Sequence, residues 1–224
     1  VYNSFLELMF NPLCNVSEVS RYSGVYQERV ENLAEHTFEV MMVAYLISIE
    51  LNKHGEEINI GSLLEKCLIH DIEEIVTGDV PRTTKYANEE IRDGVRKLGV
   101  KAAANLLDLN QYITWCKIYK GKEGSILKIA DMLVVAKKCV VEIDLRGNYS
   151  FLKVLKNMAE LLNFYVEEFP NFPNIDRLSP ESQAVVKSLV LSAAKELRDL
   201  YKKHEQRAFK YRLFDSCVIN EEDQ

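Results

Sequence analysis

A chain of 224 residues, 47% hydrophobic and 28% charged, is long enough to close a full hydrophobic core, and this composition excludes fibrous and disordered classes. Its formal net charge of −6 and isoelectric point near 5.4 provide no general attraction to nucleic acid or to an anionic membrane surface, so an anionic ligand needs a local basic site. The apolar stretch from Val40 to Ile49 is about half the ~20 residues that a helix needs to cross a bilayer, and it reads as a core helix.

Helical periodicity recurs along the chain while period-two alternation is scarce, which predicts an all-α bundle forming one domain over residues 1–224. The best-marked helix runs from about Asn32 to Lys53, with Leu33, Val40, Val43, Ile47 and Leu51 on one stripe and Gly55 ending it. A second starts after Asn59, where Ser62 and Glu65 fit a capping box. It keeps Leu64, Leu68, Asp71 and Ile75 on one face until Thr77-Gly78, and Asp79-Val80-Pro81 is then a loop.

Three shorter helices are predicted over 88–98, 101–109 and 111–120, with Gly99 and Gly121 as breaks. Ser125 caps a strongly apolar helix to about Arg146, Gly147-Asn148 turns the chain, and a helix from Tyr149 to Glu168 is broken by Pro170 and Pro173. The last long helix takes Ser179 as cap and Pro180 as its first residue, runs to about His204, and gives way to a polar tail ending in Glu221-Glu222-Asp223-Gln224. No basic segment followed by an apolar stretch opens the chain, whose first residue is Val1 rather than Met. Cys14, Cys67, Cys116, Cys139 and Cys217 are odd in number and form no C-x-x-C pair, the pattern of reduced thiols in a cytoplasmic protein.

Three features carry chemistry. His36 continues the four-three-four spacing of Val40, Val43 and Ile47, so its imidazole faces the interior; alone, such a histidine is more often a hydrogen-bonded core residue. His70-Asp71 brings a carboxylate onto the apolar line of Leu64, Leu68 and Ile75, although an isolated His-Asp dipeptide is weak evidence. Asp131 lies in Ile126–Ala136, apolar nearly all round apart from Lys128, with no ordinary partner expected beside it. One divalent cation would coordinate and neutralise all four side chains; a purely structural polar cluster is the alternative. Two imidazoles and two carboxylates suit Mn²⁺, Co²⁺, Fe²⁺, Ni²⁺ or Zn²⁺ better than Mg²⁺, and such an ion lowers the pKa of bound water.

Glu74, four residues beyond His70, projects beside this group and is the candidate to orient or deprotonate water, while Glu73 reads as a solvated helix face. Asp79 follows the Thr77-Gly78 turn, where a carboxylate can face a site or serve the turn alone. Arg21 and Lys85 lie in the loops before and after, and either can grip a phosphate, though a solvated cation is the plainer reading of each. His54 and His204 sit in charged surroundings and are placed on the surface.

The stretches Arg29-Val30-Glu31-Asn32-Leu33-Ala34-Glu35-His36-Thr37, His70-Asp71-Ile72-Glu73-Glu74-Ile75-Val76-Thr77-Gly78-Asp79-Val80-Pro81 with Lys85-Tyr86, and Lys128-Ile129-Ala130-Asp131 resemble the YfbR-like 5′-deoxynucleotidases of the HD-domain phosphohydrolase superfamily. The similarity covers about residues 16–168. It implies an HD-type helical bundle that removes the 5′-phosphate from deoxyribonucleoside monophosphates. The metal ligands are then His36, His70, Asp71 and Asp131, with Glu74 activating water and Arg21 and Asp79 contacting substrate. Family members follow the Arg with a bulky aromatic, usually Trp, that crowds a ribose 2′-hydroxyl; here the residue is Tyr22. Their usual second Pro after T-G-D-x-P is absent, and Arg82 adds a cation near the site. That cation suits an alternative, an HD-type deoxynucleoside triphosphate triphosphohydrolase; a non-catalytic nucleotide-binding HD sensor or subunit is the other. The resemblance also implies a homodimer.

Overall fold

The computed structural model describes residues 6, 9–169, 172 and 174–211, with Thr83 and 207–211 described by backbone alone. Pro170, Pro173, Cys217 and the polar tail lie outside the described residues. Among those described there is no strand, only an isolated antiparallel bridge between Ser20 and Asn32. The helices are α1 (Leu33–Lys53), α2 (Ile60–Ile69), α3 (Glu74–Thr77), α4 (Arg82–Lys85), α5 (Glu89–Leu106), α6 (Leu109–Cys116), α7 (Gly121–Val140), α8 (Leu152–Glu167) and α9 (Pro180–Tyr211). Short 3₁₀ turns cover Pro12–Glu18, Tyr149–Phe151 and Ile175–Arg177, and a π turn over Val141–Leu145 continues α7. No helix among the described residues is long and apolar enough to cross a membrane.

The helix α7 is the hub. Ile126, Leu127, Ile129, Ala130, Met132, Val134 and Cys139 are buried on several of its faces, and α1, α2, α8 and α9 all pack against it, with α8 and α9 also packed on each other. One continuous apolar cluster runs through all five. Close approach at its start requires Gly124, where a Cβ would stand 2.3 Å from the Tyr119 carbonyl carbon.

Caps explain most helix starts. The Asn32 side chain accepts from Glu35 N at 2.9 Å, Asn59 from Ser62 N at 3.0 Å, and Asp108 forms a capping box with Gln111. Asn59, not Ser62, is therefore the α2 cap. Ser125 does not start α7 either, because the chain turns helical at Gly121, where φ is +79°. Gly99 does not break α5: it is buried, and a Cβ there would meet the Glu73 side chain at 3.4 Å, so the glycine serves packing. Ser179 does cap α9, accepting from Ser182 N at 3.2 Å, and the helix runs past His204 to Tyr211.

The largest departure shapes the site. The second helix stops at Ile69, and residues 70–73 form a turn before α3 begins at Glu74. The core face is Leu63, Lys66, Cys67 and Ile69, while Leu68 is 55% exposed, so the line through Leu64, Leu68 and Asp71 does not face the core. His204 is also not on the surface: it is buried, with its ring 5.2 Å from that of Tyr149.

Candidate metal centre

Helix α1 delivers His36, fully buried, one turn after the Asn32 cap. The C-terminal end of α2 delivers His70, whose Nδ1 lies 2.7 Å from the Cys67 carbonyl oxygen. That carbonyl accepts a hydrogen bond from Nδ1–H, which leaves Nε2 as the ring's ligand-capable atom. Because the helix breaks there, Asp71 turns back, and its Oδ2 stands 3.2 Å from His70 Nε2 and 3.9 Å from His36 Nε2. One ligand-capable atom each from His36, His70 and Asp71 fit within 4.8 Å, a group able to hold a metal ion. Asp131, from α7, joins at His36, with Oδ1 3.4 Å from Nε2.

Asp131 does have an ordinary partner, contrary to the expectation from its apolar surroundings. Lys128, one turn earlier on α7, reaches its Oδ2 at 3.2 Å, and the ammonium lies 5.2 Å from the centre of the Tyr119 ring. The i, i+3 spacing was the signal for this pair.

Arg21 is buried, not solvated. Its Nη1 sits 3.3 Å from Asp71 Oδ2 and 3.5 Å from Glu74 Oε2. Backbone pairing brings it there: Arg21 N donates to Glu31 O at 2.9 Å and Leu33 N to Val19 O at 2.8 Å, clamping the loop to the start of α1. Tyr22 follows in the left-handed region, φ +57°, and its N–H donates to Asp79 Oδ2 at 2.5 Å. Asp79 thus fixes the backbone of the Arg21-Tyr22 loop. The Tyr22 ring packs edge-on to Phe151 at 5.2 Å, and its hydroxyl is buried without a hydrogen-bond partner.

Glu74 opens α3 and meets the cluster because the chain turns after His70, not because it lies four residues on along an unbroken helix. Glu73 is not solvated: it accepts from Trp115 Nε1 at 3.1 Å. Arg82 is exposed and lies over the Tyr86 ring at 4.9 Å, while Lys85 is half-buried and close enough to Glu73 to favour its ionised form.

Burial and mutual charge shift the ionisation of this group strongly. Burial, reinforced by the Asp71 charge, pushes the Glu74 carboxyl up to about 9, and burial likewise lifts Glu73 to about 7. Burial disfavours the His70 cation, but Asp71 outweighs it and raises the imidazole to about 9. Burial also opposes the Asp71 carboxylate, yet His70 and Arg21 hold its pKa well below the usual range. Burial lowers His36. Three inward-facing atoms, His36 Nε2, His70 Nε2 and Glu74 Oε2, are buried with no hydrogen-bond partner. Two imidazole nitrogens beside two carboxylates, with orphaned lone pairs converging between them, fit a divalent cation.

A family profile described as 5′-deoxynucleotidase YfbR-like matches residues 9–172. The chain belongs to the YfbR-like 5′-deoxynucleotidase family. Curated relatives match most of it: the 5′-deoxynucleotidase YfbR of Escherichia coli O1:K1 is 29% identical over 192 residues, covering 77% of this chain and 96% of the relative. A 5′-deoxynucleotidase of Klebsiella pneumoniae strain 342 is 28% identical with the same coverage. The fold matches an HD-domain phosphohydrolase from Listeria innocua, with TM-score 0.64 and 21% identity over 90% of this chain and 99% of the other. It also matches the cyanophage S-2L HD phosphohydrolase DatZ, whose structure holds dA and one catalytic Zn²⁺. There the TM-score is 0.55 and the identity 16%, over 83% and 95% of the two chains. These structures establish the HD-type helical fold for this YfbR-like chain.

Proposed function

We propose that this YfbR-like protein removes the 5′-phosphate from deoxyribonucleoside 5′-monophosphates with one divalent transition metal, Co, Mn, Zn, Fe or Ni, held by His36, His70, Asp71 and Asp131. The observation that carries the reading is the convergence of buried, partnerless His36 Nε2 and His70 Nε2 on Asp71 and Asp131. When bound, the cation supplies positive charge for the phosphoryl oxygens and lowers the pKa of water.

The chain's own residues do the rest. His70 is held in one tautomer by the Cys67 carbonyl. Glu74, 3.5 Å from Arg21, orients the attacking water and accepts its proton in the ionised form, which a bound cation would favour over the neutral form that burial imposes. Arg21, buried and tethered through its main chain, holds the phosphate by paired N–H donors. Asp79 fixes the Tyr22 amide, which sets the aromatic ring against the sugar. Lys85 and Arg82 border the entry for the anion. The reading includes a cytoplasmic homodimer, as the resemblance and the reduced-thiol pattern imply.

Incubating the purified protein with each metal and a panel of deoxy- and ribonucleoside mono- and triphosphates tests the reaction. Inorganic phosphate release from deoxyribonucleoside monophosphates is expected; triphosphate release would transfer the chain to the triphosphohydrolase reading, and no turnover with any metal would leave the sensor. Asp131→Ala is expected to lose metal and activity together. Glu74→Ala keeps the metal and loses about 10²- to 10⁴-fold in turnover.

A further inference from the structure

Three more buried atoms without hydrogen-bond partners meet on the far side of His36: its own Nδ1, Arg21 Nε and Glu31 Oε1. The single oxygen Oε1 of Glu31 lies 3.6 Å from Arg21 Nε and 3.7 Å from His36 Nδ1. None of the three residues is more than 8% exposed. We infer that Glu31 is the positioning residue of this centre, accepting from both His36 Nδ1–H and Arg21 Nε–H. The inference rests on the metal reading proposed above.

Chemistry favours one shared acceptor. An imidazole that ligates through Nε2 carries its proton on Nδ1, and a carboxylate behind that proton fixes the ring and makes the ligating nitrogen more basic. His70 has the Cys67 carbonyl for this purpose. His36 has Glu31. An Arg that grips phosphate with its terminal nitrogens likewise needs Nε held if the fork is to keep its aim. Closing both gaps to a normal bond near 2.9 Å requires a movement of roughly 0.8 Å, and it satisfies three orphaned atoms at once.

The placement of Glu31 is over-determined. Its main-chain oxygen accepts from Arg21 N, and its N–H donates to Gln27 Oε1 at 3.2 Å. Its other carboxylate oxygen lies 3.8 Å from Lys138 Nζ. That lysine is already served by Glu142 at 3.0 Å and by the Arg29 carbonyl at 2.9 Å, so neutralising Lys138 does not account for Glu31.

The test compares Glu31→Gln with Glu142→Gln, the second buried glutamate of the same neighbourhood, which touches neither His36 nor Arg21. Zinc affinity by calorimetry is expected to fall about 10- to 100-fold in Glu31→Gln and to stay within about twofold in Glu142→Gln. In the zinc-loaded wild type, the His36 Nδ1 proton should appear far downfield by NMR and exchange slowly with water, and it should move upfield in Glu31→Gln. Wild-type zinc affinity in Glu31→Gln would overturn the inference. So would a His36 Nδ1 proton in the wild type that exchanges too fast to observe, and that measurement stands even if the variant does not fold. A wild type that binds no zinc, cobalt or manganese at all would instead remove the metal reading itself.

Discussion

Two buried ionic clusters share the interior, and they are completed in different ways. Around Glu142, itself 0% exposed, the carboxylate accepts from Asn148 Nδ2 at 2.8 Å, Arg146 at 2.6 Å, Lys138 at 3.0 Å and Glu28 N at 3.2 Å. Asn148 in turn donates to the Tyr26 carbonyl at 2.9 Å. Around Asp71, by contrast, imidazole and carboxylate atoms are buried without partners. Burial of charge is common to both clusters, so burial does not identify function. What separates them is completion: the first network closes on itself and ties the 20–32 loop to the end of α7, whereas the second leaves His36 Nε2, His70 Nε2 and Glu74 Oε2 buried without partners, which the proposed cation would satisfy.

The sharpest way to break this comparison is to remove one residue from each cluster. Asp71→Ala is expected to cost more than about 100-fold in zinc affinity, beyond the range typical of residues that only support a ligand, and to abolish turnover. Its thermal midpoint without metal should fall only modestly, since Arg21 keeps Glu74 and Glu31 beside it. Glu142→Ala should lose more stability and keep its zinc. Removing one partner of a buried, hydrogen-bonded charge group costs about 3–5 kcal/mol, readable by urea unfolding, while zinc binding by the folded fraction stays near wild type. Equal stability losses in the two variants would erase the distinction.

The parts of the molecule that sequence made visible are those set by neighbours in the chain. The Ser179 cap, the helix start near Asn32 and the inward stripe of His36, Val40 and Ile47 depend on residues within one or two turns, and the structure has them. The break after Ile69 was hidden because Ile69, Ile72 and Ile75 recur every three residues, a spacing that suits a continuing helix as well as a turn. Gly99 read as a stop, yet it packs beside Glu73, 26 positions earlier in the numbering. Arg21 could not be placed from its own loop, since the carboxylates that bury it come from Glu31, Asp71 and Glu74. Asp131 drew attention through its apolar surroundings, while Lys128, its partner on the same face, was passed over. Tertiary contacts decided each of these cases.

A third buried carboxylate refines the comparison at lower amplitude. Glu56 accepts from Lys122 at the start of α7 and from Ser179 N at 2.8 Å ahead of α9, so it joins two helix N-termini away from the metal centre. Burial alone would raise its pKa, but the Lys122 ammonium and the Ser179 amide prevail and hold it at about 2, against an ordinary value of 4.5. A depressed carboxyl contributes stability that is complete above its unfolded-state pKa and is lost as pH falls through the folded one. Its contribution should therefore be on the order of 2–3 kcal/mol at pH 6 and about half of that at pH 3. Comparing wild type with Glu56→Gln in urea at the two pH values isolates this contribution, because acid effects on the distant His70-Asp71 cluster occur in both proteins and cancel. A gap that stays constant between pH 6 and pH 3 would show that Glu56 acts through packing alone. A gap that narrows while zinc affinity is unchanged places Glu56 with Glu142, among carboxylates whose partners are already complete.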